Sequence, residues 1–297
     1  MEDPTSRIRR SLAVAIERSL GAALAQASGG PTGLQSAMRY AVFPGGARLR
    51  PRLCLTVACA CGDDNRELAD AAASAIELLH CASLVHDDLP CFDNADTRRG
   101  KPSVHQAYGE RLAVLAGDAL IVLAFQTLAN AGSAMPHRLG PLSLIVARAV
   151  GAPAGIVAGQ AWECEPACDL GHYQRSKTGA LFAAATMAGA AAAGADPDGW
   201  RLLGERLGEA YQVADDIRDL VSDAEELGKP VGQDAALGRP NAATQLGLEG
   251  AKALFQRLLE EAMDSVPDSC AEKDGLRSLV LMEAQGFLPR QLARMAA

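Results

Sequence analysis

Apolar residues along this chain recur at intervals of three and four. Leu12, Ile16, Leu20 and Leu24 mark the first such run, and Leu68, Ala72, Ile76, Leu79 and Val85 mark another between Asp63 and His86. That spacing keeps side chains on one face of an α-helix. It returns in ERLAVLAGDALIVLAFQTLANAG, from His137 to Val150, in GAPAGIVAGQAWECE, in YQRSKTGALFAAATMAGAAAAGA and in WRLLGERLGEAYQVADDIRDLVSD. Two or three further helices are expected to close the chain. Breaker clusters such as SGGPTG separate the runs, and no alternating strand pattern with hairpin turns appears. An all-α fold is predicted, with 1–297 forming a single domain that lacks internal repeats and linkers.

Composition sharpens that picture. Of the 297 residues 49% are apolar but only 4% aromatic, so the core must be built from Ala, Leu and Val, which favours helices in close contact. A net charge of −8 argues against nucleic acid as a partner, while leaving open a phosphorylated ligand held by local cations. Eight scattered cysteines without a CxxC pair suit reduced core thiols in a cytoplasmic protein. Cys164, Cys168 and His172 sit four apart, but Pro166 interrupts them and no fourth zinc ligand is evident. RIRRSLAVAIERSLGAALAQA superficially resembles a signal peptide. Glu17 and Arg18 interrupt its apolar stretch, so it reads as an amphipathic first helix. No integral membrane segment is predicted, because every long apolar run is rich in Ala and Gly and broken by polar residues.

Candidate chemistry begins where one apolar helix runs straight into acids. HCASLVHDDLPCFDNADTRRGKP carries Asp87, Asp88 and Asp93, then Arg98 and Arg99, with Pro90 ending the helix so that Asp93 can return beside Asp87. Downstream, Gln212, Asp215, Asp216 and Asp219 share a helix face in YQVADDIRDL, among the apolar Val213, Ile217 and Leu220. Carboxylates at the ends of apolar helices are costly to bury without cations. Two such clusters facing one another would bind hard divalent cations, and cations held that way usually hold phosphate. Arg48, Arg50 and Arg52 stand at the start of another helix, where cations oppose the helix dipole and point to an anionic partner. Lys177 heads an apolar run, and Lys229 and Arg239 lie in the Gly- and Pro-rich LGKPVGQDAALGRPN.

Taken in order and spacing, DDLPCFD with RRGKP and DDIRD with GKPVGQD resemble the two aspartate-rich motifs of the trans-isoprenyl diphosphate synthases, a likeness that runs from about Tyr40 to Asn241. Within that family the likeness is to bacterial geranylgeranyl diphosphate synthases of the carotenoid type. The resemblance implies a homodimer of all-α bundles whose long helices surround a deep apolar cavity. It implies three Mg²⁺ ions bridging Asp87, Asp88 and Asp93 with Asp215, Asp216 and Asp219. Those metals grip the diphosphate of an allylic substrate; its departure leaves a cation that the alkene of isopentenyl diphosphate attacks. On the same resemblance Arg98, Lys177, Lys229 and Arg239 contact the allylic diphosphate, and Arg50, His80 and Arg99 hold isopentenyl diphosphate without metal. Thr178 and Gln212 offer oxygens near the developing cation, and Gln160 and Glu163 match cavity-lining positions.

There are departures from the family pattern. Ala47 stands where a lysine is usual, so a contact to isopentenyl diphosphate is lost or taken over by Arg48. Asn94 replaces a common aspartate, Arg239 a frequent lysine, and PRQLARMAA lacks the basic closing tail of some members. Product length should depend on side chains a turn below the first acids, since one turn rises about 5.4 Å, close to a prenyl unit. Ala82 and Ser83 are small there, which predicts a C20 product, with Ile121, Val122 and Phe125 as floor candidates. A C15-forming farnesyl diphosphate synthase is the nearest alternative. A non-catalytic partner subunit would be expected to have lost acids or cations, and a terpene cyclase to lack the isopentenyl-binding arginines.

Overall fold

The computed structural model describes residues 4–43, 46–166, 170–221, 241–270 and 272–288. They form two compact helical units, Met1–Val146 with Ala188–Ala195, and Ala147–Met187 with Asp196–Ala297.

The first unit opens with α1 (Pro4–Ala25), α2 (Thr32–Val42), α3 (Leu49–Ala60) and α4 (Arg66–Asp87). Leu12, Ile16 and Leu20 of α1 are buried as the pattern predicts, but the next buried position is Ala23 instead of Leu24. A strict four-residue spacing drifts round a helix of 3.6 residues per turn, and a step of three corrects it. Ser19 Oγ of α1 lies 2.7 Å from Ser74 Oγ and donates to the Asp70 carbonyl, which fixes α1 against α4. The start of α4 falls at Arg66 and not at Asp63, because the Asn65 side chain caps the helix by accepting from the Leu68 amide at 2.9 Å.

Beyond α4 the chain makes a short hairpin, β1 (Thr97–Arg98) paired antiparallel with β2 (Lys101–Pro102). Arg99 and Gly100 between them both have positive φ, 54° and 72°, the conformation that lets a two-residue turn follow strand twist. With two residues per strand it leaves no alternation for the sequence to reveal. After α5 (Val104–Tyr108), α6 (Glu110–Gly132) packs along α4. Both helices are long and apolar enough to cross a membrane, yet 78% of the apolar window of α4 and 44% of that of α6 are buried within the protein. That of α4 is the apolarity of a core helix.

The next helix, α7 (Pro136–Val150), runs on into the second unit. Of the helix predicted over GAPAGIVAGQAWECE, only α8 (Ile156–Ala161) and a 3₁₀ turn at Trp162–Cys164 form. The following predicted helix is also divided: α9 (Leu170–Gln174), a π-turn at Arg175–Gly179, then α10 (Ala180–Ala192). Beside it lies α11 (Arg201–Val221), whose Gly204 comes so close that a Cβ there would meet the Ala183 Cα at 2.5 Å. The rings of Phe182, Tyr211 and Phe287 cluster with centroids 5.3 to 6.3 Å apart. α12 (Ala242–Asp264) packs extensively on α11, and α13 (Lys273–Gln285) is the last described element.

Candidate active site

In the first unit Asp87 is the last residue of α4 and Asp88 its C-cap. The chain then doubles back. The Asp93 amide donates to the Asp87 carbonyl at 3.0 Å and the Ala95 amide to the Asp88 carbonyl at 3.1 Å, with Asn94 in the left-handed region at φ 46°. Asn tolerates that conformation better than most residues. Asp93 is therefore held beside Asp87 by backbone bonds.

Asp88 is 2% exposed and grips Arg98, whose Nε donates at 2.9 Å to Oδ1 and whose Nη2 donates to the same oxygen. Burial raises the Asp88 pKa; Arg98 opposes the rise and the neighbouring Asp87 charge adds to it. Asp87 is 3.9 Å from Arg98 Nη2, and Asp93 is exposed.

A cationic recess lies beside these acids along the sequence. Arg50 Nη1 lies 3.5 Å from His80 Nε2. A Cβ on Gly46 would fall 2.9 Å from the Arg99 guanidinium, so this glycine leaves the space that Arg99 occupies. Burial, followed by the charges of Arg50, Arg99, Arg98 and Arg48, holds the His80 pKa well below that of an ordinary histidine. Four guanidinium groups act in the same direction as the burial. His80 is neutral at pH 7.

Arg48 requires a correction. Its Nε donates to Glu17 Oε1 at 2.8 Å, its Nη1 to Glu77 Oε1 at 2.7 Å and its Nη2 to the Val42 carbonyl at 2.8 Å. The residue is 5% exposed, with φ 51° at the N-cap of α3. A guanidinium committed to two carboxylates and a carbonyl cannot replace the lysine missing at the exposed Ala47. Burial would lower its pKa, but hydrogen bonding to Glu17 and the Glu77 charge more than offset that and raise it. Nothing in the local sequence announces Glu17 and Glu77, which lie 31 and 29 residues away. Below the acids Ala82 is buried and Ser83 Oγ donates to the His80 carbonyl at 2.8 Å. Ile121 and Phe125 are half-buried, but Val122 is 65% exposed and lies on the outer side of α6.

The second unit carries another set. Lys177 and Thr178 lie in the π-turn, an irregularity common at functional sites. Lys177 Nζ donates to Glu163 Oε1 at 2.6 Å, and Glu163 also accepts from Tyr173 and Gln160. A Cβ on Gly159 would meet the Lys177 backbone at 2.6 Å, so α8 needs glycine to approach the π-turn. Thr178 Oγ1 donates to Gln212 Oε1 at 3.3 Å, and Gln212 Nε2 to Asp216 Oδ1 at 3.1 Å.

Asp216 differs from its neighbours. It is 3% exposed, and its other oxygen accepts from the Ala242 amide at 2.8 Å, at the N-terminus of α12. Asn241 caps the same helix and donates to the Asp216 carbonyl. Asn before an apolar run was the available sequence signal for that cap. Asp215 and Asp219, one turn apart, are half-buried, and Arg218 Nη2 donates to Asp215 at 2.9 Å. Lys229 and Arg239 lie outside the described residues, as does the tail from residue 289.

Among the described residues no three His, Cys, Asp or Glu side chains gather tightly enough to hold a metal alone. What they offer are oxygen-only pairs, Asp87 with Asp93 and Asp215 with Asp219. These fit Mg²⁺, which keeps one or two carboxylates and completes its octahedron from water and substrate phosphate.

Helices carrying acid pairs of this kind, together with clustered cations, define the candidate site of an all-α protein. The chain belongs to the polyprenyl synthetase family, whose model matches residues 31–278. Its substrates are isoprenyl diphosphates and its members generally depend on magnesium. The chain is 53% identical over 280 residues to a geranylgeranyl diphosphate synthase of Cereibacter sphaeroides, covering 94% of this chain and 97% of that protein. It is 51% identical to another of Rhodobacter capsulatus, covering 94% and 96%. A solved geranyltransferase of Helicobacter pylori, complexed with magnesium and isoprenyl diphosphate, superposes with a TM-score of 0.78 at 30% identity, covering 96% of this chain and 98% of that one.

Proposed function

We propose that the protein is a geranylgeranyl diphosphate synthase, a prenyltransferase that adds isopentenyl diphosphate to dimethylallyl, geranyl and farnesyl diphosphates and stops at C20. Family membership and the names of its relatives support the chemistry. The observation that carries the product length is the buried Ala82 with Ser83 on the turn of α4 below Asp87, where neither side chain would obstruct a growing tail.

Asp87, Asp88 and Asp93, and Asp215, Asp216 and Asp219, would hold the metals, with Asp88 oriented by Arg98 and Asp216 by the α12 N-terminus. Magnesium held there, three ions in this reading, would supply positive charge against that developing on the departing diphosphate. Arg98 and Lys177 would contact allylic diphosphate, each exchanging its carboxylate, Asp88 or Glu163, for phosphate oxygens. Lys229 and Arg239 complete the set. Arg50, His80 and Arg99 hold isopentenyl diphosphate; neutral His80 donates one hydrogen bond without adding a further charge to the arginines.

The allylic C–O bond breaks with its electron pair leaving on diphosphate. The isopentenyl alkene then supplies the pair for the new C–C bond. The proton lost from the product goes to the released diphosphate. Thr178 Oγ1 and Gln212 Oε1 place lone pairs near the transient cation, the fixed-dipole stabilisation that dominates many enzyme rates. We further assign 1–297 to one catalytic domain that works as a cytoplasmic homodimer.

Purified protein should elongate each primer to C20 with Mg²⁺ and make nothing when the metal is chelated. A C15 end product would move the assignment to farnesyl diphosphate synthesis, and no elongation with metal would reject it.

A further inference from the structure

The outer face of α1 takes no part in the chemistry above, yet it carries a row of arginines. An open groove of about 530 Å³ is lined by Arg7, Arg10, Val14 and Arg18 of α1 and by Arg66 at the start of α4. The helical spacing of the first four puts them on one stripe, opposite the buried Leu12, Ile16 and Leu20. Arg18 is 75% and Arg66 47% exposed, and Asp70 orients both, at 3.9 and 2.8 Å. Between the arginines Val14 is 66% exposed.

We propose that this face docks the protein on an anionic lipid bilayer, with the arginines on headgroup phosphates and Val14 at the interface. The face sets a row of basic side chains about one exposed apolar side chain, a composition suited to the surface of an anionic bilayer. An open groove of long, solvated arginines makes a poor cage for one small anion. Such charges do sum against an extended surface, each contributing about fivefold in partition. The net charge of −8 opposes approach by the rest of the molecule, so attraction is confined to this face and orients the protein. This inference is independent of the product assigned above, because any product length leaves the face unchanged.

The full chain should co-sediment with vesicles of phosphatidylcholine containing about a third phosphatidylglycerol and remain in solution with pure phosphatidylcholine. Binding should fall steeply between 50 and 300 mM salt. Arg10→Glu with Arg18→Glu should reduce partition at least tenfold, whereas Arg10→Lys with Arg18→Lys should retain it. Elongation in solution should stay within twofold for both variants, which shows that each is folded. Equal binding to neutral and anionic vesicles, no loss in the Glu variant, or complete displacement by millimolar inorganic diphosphate would each overturn the proposal. The last result would mark the groove as a small-anion site.

Discussion

At the scale of single residues, Arg48 and His80 show how one cationic segment divides its labour. Arg48 is sealed between Glu17 and Glu77, and the Glu77 side chain is only 2% exposed. Replacing it by methionine fills similar space but leaves the Glu77 charge buried without a partner. Breaking a buried pair from one side costs about 3–5 kcal/mol. Arg48→Met should therefore lower the urea midpoint by that equivalent, and adding Glu77→Gln should restore a large part; if the double variant is no better than the single one, the pair is not the cause. His80 makes a separate prediction about pH. Its folded pKa lies below the ordinary value of 6.5, so below pH 6.5 the unfolded chain takes up a proton that the folded protein refuses. Stability from this residue is level above pH 6.5 and is lost as pH falls from there towards the folded pKa. His80→Gln should flatten that part of the stability–pH curve, and an unchanged slope would contradict a depressed pKa.

At the scale of elements, α4 does three things within about two turns. It presents His80, keeps Ala82 and Ser83 small, and ends on Asp87. Because a turn rises about 5.4 Å, a tyrosine at 82 would close the space one prenyl unit short of the present depth. Ala82→Tyr should yield C15 in place of C20, read by chromatography of the dephosphorylated products. Overpacking this buried position should cost about 1–3 kcal/mol, so product length must be compared at a temperature where the variant is folded. An unchanged C20 product would reject α4 as the ruler. This much of the element was legible from the sequence, since period, Pro90 and small side chains are all local signals. The π-turn at Arg175–Gly179 was not, because one extra residue in a helical turn leaves the apolar period of GALFAAATMAGAA intact. The triad around Arg48 and the hold of Asp216 on α12 were missed for the complementary reason: each joins residues more than 25 positions apart.

At the scale of the molecule, the acids and the cations call for different kinds of ligand, and this can be tested without following the reaction. Arg50 and Arg99 are guanidinium groups clustered about a neutral His80, so they should take a diphosphate directly. Asp87, Asp93, Asp215 and Asp219 repel a diphosphate unless a divalent cation intervenes. Arg98 is already engaged by Asp88, and Lys177 by Glu163, which leaves these cations little to offer an anion while the acids remain unneutralised. Titration calorimetry in EDTA should thus retain isopentenyl diphosphate binding and lose that of a non-hydrolysable allylic diphosphate analogue. Adding Mg²⁺ should restore the analogue and change isopentenyl binding by less than threefold. Arg50→Ala should reverse the pattern, abolishing the metal-independent event and sparing the metal-dependent one. Should chelation remove both events, isopentenyl diphosphate also depends on the acids, and the assignment of Arg50, His80 and Arg99 as its metal-free seat fails.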